Sequence, residues 1–259
     1  MRRLFAAFDM AGYTVQILVK SLWFSIRRPR LKSTMTLMYE GGLKSLLVVA
    51  IVALFSGMIL CLQTGLQLIQ LGQEDLIGAL VAQTFAREFG PFITCIILVG
   101  TIVSAYTAEI GTMRVSEEVA ALEVLSIDPI DYLAAPRVIA LAIMTFFLTA
   151  CADYIGILGG GLVASMQMGV PFGRYLDSAM ETLRGGEWFG LPKDVYAGLV
   201  KAGFTGGVIG AIGCAQGLTA QGGALGVGRA VRRAVIHSIV LILIISYDFT
   251  WLVYRAFMS

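Results

Sequence analysis

Residues 104–131 read SAYTAEIGTMRVSEEVAALEVLSIDPID, a polar-rich stretch held between two long apolar runs. An uncharged run of 20 residues, Phe89 to Ala108, leads into it, and an apolar run starting at Val138 follows it. Six acids lie in the stretch, Glu109, Glu117, Glu118, Glu123, Asp128 and Asp131, and Arg114 alone offsets them before Arg137. Twenty apolar residues make a helix of about 30 Å, the thickness of a bilayer hydrocarbon core. The stretch therefore reads as an acidic segment between two membrane helices. Within it Val115, Val119, Leu122 and Ser126 share one helical face. Glu117 and Glu118 are expected in the first turn, where the helix dipole favours acids, and Asp128-Pro129 ends the helix. A helix of about 115–127 is marginal alone, so it rests on membrane helices or on a partner.

Working outward, the same pattern recurs. Only 14% of the 259 residues are charged and 58% are hydrophobic, against about 25% charged in soluble domains. The expectation is one all-α polytopic membrane domain over 1–259. An amphipathic helix over 1–32 carries the stripe Leu4, Phe8, Ala11, Val15, Leu18, Leu22 and Ile26. That stripe fits a helix lying in the membrane interface, ended by Arg27-Arg28-Pro29-Arg30. Five spans follow, at about 45–70, 88–110, 136–165, 197–221 and 232–257. Ser45 to Gln73 is uncharged, and Gln63, Gln67 and Gln70 in its far half mark either a wet surface or the approach to the interface. Glu74-Asp75 opens a short connection that Arg87-Glu88-Phe89-Gly90-Pro91 closes, with Pro91 expected in the first turn of the second span.

Val138 to Gly173 carries one charge, Asp153. Splitting it at Gly159-Gly160-Gly161 leaves 12 residues for a second helix, too few to cross, so it reads as one span. Asp153 then lies deep, either paired inside the bundle or functional. Pro171, Gly185, Gly186 and Pro192 break up the connection over 170–196, around a short amphipathic helix with Asp177, Glu181 and Arg184. The fourth span has small-xxx-small pairs, Gly203/Gly207, Gly206/Gly210 and Gly213/Gly217, which let helices approach closely. Gln221-Gly222-Gly223 reads as a turn before Arg229, Arg232 and Arg233. The last span carries Asp248, with Tyr247, Trp251 and Tyr254 as an aromatic belt.

Lys and Arg set the orientation. Eight precede the first span, two fall in the acidic segment through Arg137 and three at 229–233, giving 13 on the N-terminal side against 6 on the other. The N-terminus and the acidic segment are therefore expected in the cytoplasm. No GxxxxGK[ST], GxSxG or HExxH pattern is present, and one histidine cannot build a His-based metal site. The four cysteines lie in apolar runs as buried thiols. The expectation is a protein that is not an enzyme, with no cofactor or metal of its own and no nucleic-acid partner.

Three motifs then matter together: Arg87-Glu88-Phe89-Gly90-Pro91, Thr107-Ala108-Glu109-Ile110-Gly111-Thr112-Met113-Arg114, and Leu125-Ser126-Ile127-Asp128-Pro129. In this order and spacing they resemble the MlaE-type permeases, membrane subunits of ABC transporters that move phospholipids or related lipids. The resemblance implies a homodimer in the bacterial inner membrane. It implies a cytoplasmic ABC ATPase that binds the ATP, a periplasmic MCE-domain partner and a small STAS-like cytoplasmic subunit. It makes the acidic segment a coupling helix, with Glu109, Arg114, Glu117, Glu118, Leu122 and Asp128 as coupling candidates. It points to Leu60, Gln63, Leu68, Arg87, Glu88 and Phe89 as the lipid site, with Phe89 standing where the family usually has Leu. Arg87 suits a phosphate with Glu88 holding it in place; the plainer reading is that the two pair only with each other. Two other classes stay open on the residues alone: an ion-coupled carrier using Asp153 and Asp248, and a membrane scaffold without transport.

Overall fold

The computed structural model describes residues 2–27, 30–184, 187–188 and 191–258, almost all of them helical. Helix α1 is Arg2–Arg27, α2 Leu31–Gln70, α3 Glu74–Val115, α4 Glu118–Val124, α5 Ile130–Gln167, α6 Phe172–Arg184, α7 Lys193–Leu218 and α8 Gly223–Met258. Two-residue strands β1 (Glu187–Trp188) and β2 (Leu191–Pro192) pair antiparallel between α6 and α7. Helices α2, α3, α5, α7 and α8 are long and apolar enough to cross a membrane. The chain is an all-α polytopic membrane protein. The expected breaks at Arg28-Pro29 and Gly185-Gly186 lie outside the described residues.

Several boundaries differ from expectation, each for a physical reason. Helix α2 begins at Leu31, well before the uncharged run, because 31–44 contains no proline and mostly good helix formers. The expected connection before Arg87 is helical instead. Its apolar residues Ile77, Val81 and Phe85 recur every fourth position and are buried. Pro91 therefore lies within α3 and not in its first turn. It follows a π-turn over Phe85–Phe89, one of three among the described residues with Val99–Val103 and Ile130–Ala134. Helix α5 runs unbroken through Gly159–Gly161, where missing side chains make room for the Leu54 carbonyl, the Tyr175 hydroxyl and the Phe172 ring. Arg229, Arg232 and Arg233 lie inside α8, which starts at once at Gly223; Gly222 and Gly223 take φ of +88° and +67°.

The chain packs as two compact units, Met1–Ser45 with Cys95–Thr145 and Gly203–Asp248, and Leu46–Thr94 with Phe146–Ala202 and Phe249–Ser259. In the first unit Ile17 of α1, Ile110 of α3, Val119 of α4, Leu133 and Val138 of α5 and Cys214 and Leu218 of α7 share a core. The α7 glycines from Gly206 to Gly217 work inside this unit. Gly206 faces the Thr145 side chain and the Leu141 carbonyl, and Gly213 lets the Thr107 hydroxyl donate to its carbonyl at 3.0 Å. In the second unit Cys61 and Leu68 of α2, Ile77 and Val81 of α3, Val163 of α5 and Tyr175 of α6 form the core. The buried Tyr175 hydroxyl donates to the Ile157 carbonyl at 3.1 Å, and burial pushes this phenol above its ordinary range.

Candidate functional site

The charged centre of the second unit follows from one proline. Pro91 has no N–H to offer the Arg87 carbonyl, its acceptor one turn back. Lys201 Nζ on α7 donates to that carbonyl at 3.3 Å. The same nitrogen lies 2.6 Å from Glu88 Oε2 and donates to Thr250 Oγ1 at 3.2 Å, and the Thr250 hydroxyl donates to the other Glu88 oxygen. Gly198, three residues before Lys201, lets α7 approach α3 so closely that a Cβ there would overlap the Ala86 carbonyl oxygen. The Lys201 side chain is 2% exposed, so its acceptors are what make a buried ammonium tolerable.

Arg87 and Glu88 therefore do not pair with each other, which corrects the plainer reading of them, and Glu88 does not hold Arg87 in place. Arg87 Nε lies 2.7 Å from Asp194 Oδ1, and Gln83 Nε2 donates to Asp194 Oδ2 at 3.4 Å. The Arg87 side chain remains 43% exposed while its partner is 18% exposed, so Asp194 anchors the guanidinium and leaves part of it accessible. Phe89 is also exposed, its ring 6.3 Å from that of Phe85. Of the α2 candidates, Gln63 is exposed and Leu60 half-buried at the edge of the core. Leu68 is a core residue, and offers no open wall.

Sequence reading missed Asp194, Lys201 and Thr250. A signal existed for Lys201, since it abuts the uncharged run from Ala202. A lysine at membrane depth needs an anion, and Glu88 is the acid that α3 supplies.

The acidic segment belongs to the first unit. Helix α4 is shorter than expected, Glu118–Val124, because Val115 ends α3 and Glu117 takes φ +64° ahead of α4. Glu117 is thus the residue before the helix and not part of its first turn. The Ser116 hydroxyl and Glu118 Oε1 lie 2.9 Å apart. Val119 is buried and Leu122 packs partly buried against the same core. The face left outward carries Glu117, Glu118, Val124 and Leu125, with Val124 86% and Leu125 69% exposed. So Leu122, singled out as a docking residue, points inward, and Leu125 takes the exposed place.

Ion pairs fix the segment on its neighbours. Arg114 lies 3.9 Å from Glu123, Lys20 of α1 3.8 Å from Asp128, Arg30 3.0 Å from Asp131, and Arg137 3.0 Å from Glu109. Asp128 also accepts from the Ile130 N–H at 2.8 Å, capping the start of α5. A cavity of about 330 Å³ opens here between Tyr13, Arg114, Glu123, Asp128 and Gln221. Burial pushes the Tyr13 phenol above its ordinary value while the Arg114 guanidinium pulls the other way. No group of three or more His, Cys, Asp or Glu able to hold a metal ion occurs among the described residues.

A family profile described as Permease MlaE matches residues 34–252. The chain belongs to the MlaE permease family. A probable ABC transporter permease protein of Synechocystis is 35% identical over 98% of this chain and 92% of its own. A probable ABC transporter permease protein of Rickettsia conorii is 40% identical over 83% of this chain and 80% of its own. The chloroplastic protein Trigalactosyldiacylglycerol 1 of Arabidopsis thaliana is 35% identical over 91% of this chain and 66% of its own. As an MlaE-family ABC transporter permease, this multi-pass membrane chain implies an ATPase partner.

Proposed function

We propose that this MlaE-family permease moves phospholipids or related lipids between the bacterial inner membrane and a periplasmic MCE-domain partner, driven by a cytoplasmic ATPase that binds and hydrolyses the ATP. It acts as a homodimer with its N-terminus in the cytoplasm, and a small STAS-like subunit completes the complex. The observation that carries this reading is Arg87, half-exposed on a membrane helix and anchored by Asp194. A guanidinium so held suits a lipid phosphate, and Phe89 with the exposed faces of the spans suits acyl chains. The name of the Arabidopsis relative, which contains a diacylglycerol lipid, is in keeping with a lipid substrate. The acidic segment with its outward Leu125 is the surface offered to the ATPase.

The test is purification in mild detergent followed by mass spectrometry of the lipids and proteins retained, and lipid transfer after reconstitution with the ATPase. Bound phospholipid and an ATPase are expected, with transfer lost in the Arg87→Ala, Glu88→Ala double variant. Transfer unchanged in that variant sinks the lipid-site assignment; copurification with neither lipid nor ATPase sinks the transport reading.

A further inference from the structure

Threonines in these helices generally satisfy their own hydroxyls. Thr101, Thr107, Thr145 and Thr219 each donate to the carbonyl one turn back, at 2.7–2.9 Å. Thr94 on α3 and Thr149 on α5 do not, although both are fully buried, and neither hydroxyl finds a partner among the described residues. One turn beyond Thr149 on the same face stands Asp153, 5% exposed, with both carboxylate oxygens likewise without a partner among the described residues. Its neighbours Cys151 and Tyr154 are exposed, so Asp153 alone of the three turns inward.

The three residues stand on two facing helices of the second unit. Asp153 Oδ1 sits against Gly90, where a Cβ would overlap it, and the Phe85 carbonyl oxygen lies 3.3 Å from that same point. Gly156 in turn faces the Phe85 ring. Residue numbers thus rise along α3 as they fall along α5, and the next turn sets Thr94 level with Thr149. Gly90 closes the π-turn over Phe85–Phe89, a widening of the helix that recurs at functional sites. Two cations of this unit are already engaged, Lys201 of α7 with Glu88 and Arg87 of α3 with Asp194. A carboxylate buried without a counter-charge is strongly disfavoured.

We propose that Asp153, Thr94 and Thr149 form a binding site for one neutralising monocation, a proton or Na⁺, enclosed between α3 and α5. The chemistry fits the donor set, which consists of oxygens alone, as hard cations prefer. The site is separate from the Arg87 centre in its residues and does not rest on the lipid reading.

The experiment uses the full chain in detergent at neutral pH, with NaCl titrated against choline chloride at constant ionic strength. A resident Na⁺ raises the melting temperature by about 2–4 °C or more, saturably, and Asp153→Asn abolishes the rise. A resident proton gives no Na⁺ response but an infrared carbonyl band of a protonated carboxylic acid that disappears in Asp153→Asn. In either case Thr149→Val, which keeps the carboxyl group, weakens the Na⁺ response or shifts the band. If Asp153→Asn does not fold, Thr149→Val and Thr94→Val carry the test. An ionised carboxylate at Asp153 with no Na⁺ response overturns the proposal, as does either signal persisting unchanged in the variants.

Discussion

Lys201 Nζ lies 2.6 Å from Glu88 Oε2 although 113 residues separate them in the chain. The two partners are unequally buried, the lysine 2% and the glutamate 37% exposed. That asymmetry predicts unequal consequences when each is removed. Glu88→Gln strands a buried ammonium among neutral acceptors and is expected to cost about 2–4 kcal/mol. Lys201→Met leaves a carboxylate that water can reach, at a smaller cost of about 1–2 kcal/mol. The double variant should be more stable than Glu88→Gln alone, because it removes the stranded charge. Unfolding of the three variants in one detergent checks the order, and strictly additive losses would refute the pairing.

The glycines allow a sharper contrast. A Cβ at Gly57 would overlap the Gly156 carbonyl, where α2 and α5 touch backbone to backbone. Gly57→Ala is therefore expected to destabilise by about 1–3 kcal/mol, as overpacking does. At Gly12, on α1, a Cβ meets nothing within 4 Å. Gly12→Ala should stabilise by about 0.5–1 kcal/mol through helix propensity alone. Thermal melts of the two alanine variants should move in opposite directions.

The number and type of spans were legible because each holds a long apolar run with few charges, and water-free hydrocarbon leaves a chain little choice but helix. The unbroken course of α5 through Gly159–Gly161 was legible from length. What resisted reading was tertiary. Arg87 and Glu88 are neighbours in sequence and opposite in charge, yet successive helical residues point about 100° apart and each finds its partner on another stretch of chain. The positive φ at Glu117 had no signal either, since glutamate rarely adopts it. The inward turn of Leu122 follows from the face it shares with buried Val119, which leaves Leu125 outward.

Helix α4 separates stability from docking. Leu122 packs on the core of the first unit, so Leu122→Ala should lower the melting temperature. Leu125 is 69% exposed, so Leu125→Asp should leave melting nearly unchanged while weakening association with the ATPase proposed to sit there. Glu117→Lys with Glu118→Lys should weaken it too, and more so at low salt, where charge reversal is least screened. Pull-down of the ATPase at two salt concentrations, beside a melt of each variant, distinguishes the outcomes. Association undiminished in Leu125→Asp would remove α4 from the interface.

Asp194 gives the last test, because it holds Arg87 at Nε while leaving part of the guanidinium exposed. If Arg87 works only as a structural ion pair, Asp194→Asn and Arg87→Ala should disturb the protein alike, and neither should affect lipid transfer beyond its effect on stability. If Arg87 is the phosphate group's partner, Asp194→Asn keeps the guanidinium and loses only its orientation. Transfer should then fall by roughly tenfold in Asp194→Asn and further in Arg87→Ala, since charge-assisted hydrogen bonds contribute about 1.5–3 kcal/mol. Arg87→Lys keeps the charge but not the planar fork, and should fall between them. Transfer rates of the three variants, corrected for the amount of folded protein, decide the matter: an ordering of Asp194→Asn above Arg87→Lys above Arg87→Ala requires a guanidinium that meets an anion, whereas equal rates reduce the pair to a structural tie between α3 and α7.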